Sequence, residues 1–289
     1  MNEPVIAEYW FLMDDNGVQC NLCPHKCKIQ EGETGLCTVR ENHGGILIAT
    51  GYGQVSSIAL DPIEKKPLYM YKPGSHILSI GSFGCNLHCP FCQNFEISLE
   101  YERRRDNTKI MTPTDIVMLA KETQRDGNIG IAYTYNEPLA GYDFVRDTAQ
   151  LAHASILDNV LVTNGYINRE PLEALLPVID AMNIDLKSIE GDFYRQVGGD
   201  IETVKNTIIL SHDHCHIEVT TLVIPGENDD TIEDISIWLA SIDPEIPLHL
   251  SRFFPRHLYT GKSPTPHDLM YNLRDTAKKY LKNVFTGNM

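Results

Sequence analysis

The run SIGSFGCNLHCPFCQN, residues 79–94, sets Cys85, Cys89 and Cys92 in one tight loop just past an apolar stretch, HILSIGSF, that reads as a strand. A four-iron cubane normally takes four thiolates. Three thiols in a closed Cys-x3-Cys-x2-Cys loop leave one iron open to an outside chelator. S-adenosylmethionine (SAM) is such a ligand, through its methionine amino and carboxylate groups. Zinc loops favour Cys-x2-Cys or Cys-x4-Cys pairs with a second pair elsewhere, and a zinc site here would need His88 or a distant residue to complete it. Gly81, Ser82 and Gly84 let the backbone curl and offer amide hydrogens to cluster sulfides, Pro90 stiffens the loop, and Phe91 supplies an apolar wall or packs. The loop therefore predicts a [4Fe-4S] cluster that binds SAM.

Outward from the loop, short apolar runs alternate with stretches of helical spacing. The strand candidates are HILSIGSF, IGIAYTY, NVLVTNG, MNIDLKS, CHIEVTTLVIPG and PLHLSRF. Between them, TPTDIVMLAKETQRDG, PLAGYDFVRDTAQLAHAS, EPLEALLPVIDA, IETVKNTIILSHD and TIEDISIWLAS repeat apolar residues at helical intervals. Thr112-Pro113 and Thr231 with Glu233 and Asp234 read as helix starts. Six strands separated by helices predict a parallel α/β sheet with right-handed crossovers. The rhythm leaves a partial barrel and a doubly wound sheet both open. Either one puts its site at the C-terminal ends of the strands, where the unusual polar residues fall.

Residues 1–74 read as a separate cysteine-rich region and 75–289 as the main domain with a C-terminal helix. The first region carries Cys20, Cys23, Cys27 and Cys37 and two alternating stretches, GILIAT and GQVSSIAL, that read as strands. DPIEKKPLYMYKPG, with three prolines, reads as a turn-rich crossing. Four thiolates suit zinc or a second [4Fe-4S] cluster, and a role without metal also stays open. Lys26, Lys28 and Arg40 would offset the ligand charge. Cys215 stands alone and reads as a buried inert thiol.

With 24 Lys+Arg against 39 Asp+Glu, the net charge of −15 argues against nucleic-acid binding. Arg103, Arg104 and Arg105 read as a solvated turn, with a small anionic ligand or one protein contact as the alternative. No apolar run reaches membrane-span length, and MNEPVIAEYW lacks the features of a signal peptide. A cytoplasmic protein is expected, whose cysteines serve as ligands rather than disulfides.

CNLHCPFC resembles the radical SAM signature, and the resemblance continues through nearly all of residues 76–260. It is similar to the pyruvate formate-lyase activating enzyme-like branch, and within it to the radical SAM member of the AmmeMemoRadiSam system, on CNLCPHKCKIQEGETGLCTVR, YTYNEP, NIDLKS and TLVIPGENDD. Relatives of that subgroup often continue past KNVFTGN into a Cys-Pro-x-x-Cys tail, whereas this sequence stops at Met289. The resemblance implies a partial (β/α)6 TIM-like barrel of the radical SAM type, with a small N-terminal cysteine-rich α+β or β unit. It also implies an electron donor such as flavodoxin or ferredoxin. Glu137 takes the place of a Gly-Gly-Glu motif that holds the SAM amino group, with Tyr135-Asn136 standing where the glycines would be. A helix-start acid beside Pro138 is the plainer reading of Glu137.

Asp185 and Lys187 lie two apart on a strand, share a face, and match an Asp-x-Lys used around SAM and substrate in the related enzymes. They would form a desolvated ion pair if that face points inward. Thr163 and Asn164 would meet the ribose or methionine part of SAM. Glu218 and Thr220 share a face expected near the adenine. One of His249 and Arg252 would point inward. The implied reaction is reductive cleavage of SAM to a 5'-deoxyadenosyl radical that abstracts hydrogen, with a glycyl residue of a partner protein as the suggested target. A peptide, nucleoside or small metabolite is the alternative target, and a non-enzymatic metal scaffold the rival outside the class.

Overall fold

Near-continuous apolar runs suit strands covered on both faces, and each of the six expected runs is a strand. The structure is a computed structural model that describes residues 4–100 and 108–289. Arg103, Arg104 and Arg105 lie outside the described residues. In chain order the main sheet contains β1 (Ser57–Pro62), β2 (His76–Gly81), β3 (Asn128–Thr134), β4 (Asp158–Thr163), β5 (Ala181–Asp185), β6 (His216–Val223), β7 (Leu248–Arg252) and β8 (Val284–Gly287). Spatial order follows chain order across the eight strands. β1 runs antiparallel to β2, and the other neighbouring pairs are parallel. This is a partial TIM-like barrel with helices in the crossovers. Two strands exceed the expected six: β8, which follows the helix His267–Ala277, and β1, drawn from a stretch read as part of the N-terminal region.

Helix starts follow local chemistry. Thr112 accepts from Asp115 N at 3.1 Å while the Asp115 carboxylate accepts from Thr112 N at 2.8 Å, a capping box that opens the helix Pro113–Glu122. Asp200 caps Ile201–His212 by accepting from Thr203 N at 2.8 Å. At Thr231 the expected start is real, but its hydroxyl donates back to Asn228 O at 2.8 Å and caps nothing.

The inner face of the sheet grades from an apolar floor to a polar mouth. Ile77, Ala132, Val160 and Ala181 pack on Ile63 and Leu68 from the segment between β1 and β2. Two residues further along their strands, Thr134 and Val162 line an open cavity. Alternation thus places floor and mouth on one face.

Ahead of the barrel, Trp10–Leu12, Val18–Cys20 and Lys28–Ile29 form a three-stranded antiparallel sheet, and Glu41–His43 pairs with Ile46–Ile48. Arg40 fixes this part to the barrel. Its guanidinium meets Asp143 Oδ2 at 2.6 Å, with both side chains 1% exposed, and donates to Glu8 O at 2.8 Å. Asp143 also accepts from Glu8 N at 2.8 Å.

Candidate active site

At the C-terminal ends of the strands lies a cavity of about 360 Å³ whose wall includes Cys85, Cys89, Cys92, Glu137, Asp185 and Lys187. Gly84 lets the cysteine loop start there. It sits at φ +85°, and a Cβ would meet Cys37 O at 2.5 Å, so the N-terminal cysteine region packs directly on this turn. Cys85 Sγ accepts from Leu87 N at 3.3 Å and from Asn164 Nδ2 at 3.7 Å. Burial raises all three thiols above their ordinary range, Cys89 to about 11.

Glu137 sits at the centre of a hydrogen-bond set. Its carboxylate accepts from Thr163 Oγ1 at 2.7 Å, Asn164 N at 2.7 Å and Leu139 N at 3.0 Å. The helix-start role and the cavity-lining role therefore coexist. Burial nevertheless pushes this carboxyl up to about 7, against the opposing pull of those donors. Its ordinary unfolded value is near 4.5, so its burial costs nothing below that pH and destabilises the fold progressively until ionisation is complete above about 7. Without added ligand, Glu137→Gln should flatten the fall in stability between pH 4.5 and 7, measured by urea midpoints. An unchanged pH slope would mean that the carboxyl is not buried in this way.

Thr163 and Asn164 are occupied by the protein itself. Asn164 Nδ2 also donates to Asn86 Oδ1 at 2.9 Å, so this pair orients Glu137 and the cysteine loop. Asn136 braces the same loop, accepting from Ser82 N at 3.0 Å and donating to Gly84 O at 2.9 Å. Lys187 Nζ meets Asp185 Oδ2 at 3.2 Å. Burial alone would lower the lysine, but Asp185, Cys89 and Tyr194 hold it above its ordinary value. The pair is only half desolvated, with Lys187 14% and Asp185 42% exposed. Asp185→Ala should therefore cost nearer the ~1 kcal/mol of a partly exposed pair than the ~3–5 kcal/mol of a buried one. Chemical denaturation distinguishes the two.

Glu218 and His249 are not among the residues lining this cavity. Thr220 is, on the same face as Glu218 but nearer the mouth. Glu218 is fully buried and saturated by Met70 N at 2.7 Å, Tyr69 N at 3.0 Å, His216 Nε2 at 3.0 Å and His249 Nε2 at 2.5 Å. With every lone-pair direction engaged, it serves the floor rather than a cofactor. His249 is the inward member of the His249–Arg252 choice, yet it too is spent on Glu218. Arg252 Nε donates to Thr265 O at 2.7 Å. Cys215 is half-buried, and burial pushes its thiol to about 12.

A model of the radical SAM superfamily matches residues 79–239, more than half of the chain. The chain belongs to the radical SAM superfamily. It is 41% identical to the uncharacterized protein MJ0808 of Methanocaldococcus jannaschii over 98% of this chain and 85% of that one. It is also 28% identical to MJ1227 of the same organism, named as a candidate glycyl-radical enzyme activating enzyme, over 70% of this chain and 85% of that one. Streptococcus suis SuiB, crystallised with the precursor peptide SuiA, superposes with a TM-score of 0.56 at 12% identity, over 71% of this chain and 46% of SuiB. At that identity the likeness is one of fold.

Membership of the radical SAM superfamily implies use of SAM and a [4Fe-4S] cluster. The donors present fit: three soft thiols face one cavity, two N–H groups already point at Cys85 Sγ, and among the described residues the wall has no fourth Cys and no His. Among the described residues, no group of three or more His, Cys, Asp or Glu is gathered around a point that would hold a single metal ion. No described helix is long and apolar enough to cross a membrane.

In this radical SAM enzyme, Cys20, Cys23, Cys27 and Cys37 face a second, small cavity with Arg40, His25 and Asn86. Arg40 Nη1 donates to Cys20 Sγ at 3.6 Å, whereas Lys26 and Lys28 are exposed. All eight cysteines are free thiols. His25 Nε2 meets Asn86 O at 2.7 Å, which ties this group to the Cys85 loop. Sequence reasoning missed that tie. It also missed Lys65, Lys66 and Tyr135 in the cavity wall, because a Lys-Lys between prolines looks like an ordinary solvated turn.

Proposed function

We propose that the enzyme binds a [4Fe-4S] cluster through Cys85, Cys89 and Cys92, cleaves SAM at it, and abstracts hydrogen from a glycyl residue of a partner protein, as in the activating-enzyme-like branch. The observation that carries this reading is the convergence of three thiols, a buried carboxylate and a Lys–Asp pair on one cavity at the strand ends. When bound, the cluster and SAM supply one-electron reduction and a hydrogen-abstracting radical. Glu137 would receive the SAM ammonium as a charge-assisted acceptor. Asp185 and Lys187 would position the SAM carboxylate and the substrate, and Thr163, Asn164 and Asn136 would hold Glu137 and the loop in register. The glycyl target draws support from the similarity to MJ1227. The Cys20–Cys37 group is proposed as a zinc or second-cluster site of the N-terminal region.

Anaerobic reconstitution followed by electron paramagnetic resonance should give a reduced-cluster signal that SAM perturbs, with 5'-deoxyadenosine formed. A signal indifferent to SAM would sink the reading. Glu137→Gln should weaken SAM binding roughly tenfold to a hundredfold while cluster content stays intact, since one charged hydrogen bond contributes about 1.5–3 kcal/mol. Separate iron and zinc analysis of Cys23→Ala identifies the N-terminal metal. Unchanged metal content would rule out that ligand. An oxygen-sensitive glycyl radical appearing on a protein in cell extract would supply the target. A radical found only on small molecules would replace it with the metabolite alternative.

A further inference from the structure

The same cavity has a second charged wall that none of the roles above uses. Lys65 and Lys66, from the short helical turn Ile63–Lys65 and the residue after it, line it together with Tyr135. Asp61, at the end of β1, is their shared counter-ion: Lys66 Nζ lies 2.9 Å from its Oδ2 and Lys65 Nζ 3.2 Å from its Oδ1. Tyr135 Oη donates to the same carboxylate at 2.8 Å, and its ring lies 4.7 Å from Lys66 Nζ. Lys66 is 2% exposed.

Two ammoniums thus share one carboxylate, which leaves one positive charge over; Lys66 is buried, whereas Lys65 is 67% exposed and opens this wall to solvent. Burial lowers Lys66 from its ordinary value, and the Asp61 contact pulls the other way. The wall is also built at a conformational cost. Tyr135 holds φ at +75° without being glycine, a state that costs about 1–3 kcal/mol and clusters at functional sites. Room for its ring comes from Gly81, where a Cβ would lie 2.9 Å from Tyr135 Cδ2.

We propose that Lys66, with Lys65 and the Asp61–Tyr135 brace, forms a subsite for a carboxylate group of the substrate. The single surplus charge matches a monoanion, and the two lysines line the same cavity as Cys85, Cys89 and Cys92. This rests on the cavity being the SAM-cleaving site, and adds that the group presented there is acidic.

The test uses cluster-reconstituted, SAM-loaded protein titrated with acetate and, separately, inorganic phosphate at constant ionic strength, with chloride as the control. Thermal unfolding is the readout. Acetate should stabilise saturably, and Lys66→Met should weaken its apparent Kd about tenfold or more, whereas Lys278→Met on the surface should not. If Lys66→Met fails to fold, Asp61→Asn/Lys66→Met removes both members of the pair and carries the same expectation. Absence of saturable acetate binding, or binding indifferent to Lys66, overturns the subsite. Phosphate binding more tightly than acetate through Lys66 overturns the monocarboxylate assignment. Lost SAM affinity in Lys66→Met would instead assign the lysine to the cofactor and overturn the proposal. SAM cleavage by the unaltered protein is measured alongside. Its failure sinks the parent reading, while cleavage without Lys66-dependent acetate binding sinks only the subsite.

Discussion

Replacing any one of Cys85, Cys89 and Cys92 by Ala should remove about four irons per chain and take 5'-deoxyadenosine formation to background. The three thiols line one cavity wall, and two ligands cannot retain a cubane that three hold with an open iron. The loop itself should survive the substitution. Asn136 and Gly84 still brace its entry, and His88 N still donates to Val197 O at 2.8 Å. Circular dichroism and urea midpoints should therefore change little while iron and activity are lost. A variant that keeps parental iron and turnover would remove that cysteine from the ligand set.

The second large effect is one of stability. Arg40→Met should destabilise the protein by about 3–5 kcal/mol, because it leaves the Asp143 carboxylate buried with Glu8 N as its one remaining donor among the described residues. Arg40→Met/Asp143→Leu should recover most of that loss, since removing both charges also removes their desolvation cost. Urea unfolding of the two variants checks both statements. A single-variant loss below about 1 kcal/mol would mean that the pair is solvated. Arg40 Nε, buried and without a hydrogen-bond partner among the described residues, is one reason the double replacement should be tolerated well.

Much of the barrel was legible because buried parallel strands are apolar runs of the right length. Six of its eight strands announced themselves in that way. β8 did not, since VFTG is four residues long and its burial comes from β7 and the preceding helix. β1 is legible as a strand in GQVSSIAL but reads as part of the N-terminal region, and it is pairing with β2 that makes it the edge of the barrel sheet. At the site, period-two alternation correctly put Glu218 and Thr220 on one face. Alternation carries no information about depth, however, and two residues separate the cavity wall at Thr220 from a floor that Glu218 helps to close. Lys66 was illegible for a related reason: what buries it is Asp61 and Tyr135, 5 and 69 positions away in the chain.

Because spatial order follows chain order, a polypeptide leaving the ribosome can add each strand to the one made just before it. The floor is the exception. Tyr69 N is tied to Glu218, 149 residues further on, so the segment that plugs the barrel is synthesised early and fastened in stages: Tyr71 Oη donates to Asp158 Oδ2 on β4 at 3.0 Å, Asn183 Nδ2 on β5 donates to Pro67 O at 2.8 Å, and Glu218 on β6 comes last. Until then Ile63 and Leu68 have their apolar seat on β2, β3, β4 and β5, which emerge first. The floor is thus fully fastened only when β6 is made, 149 residues after Tyr69.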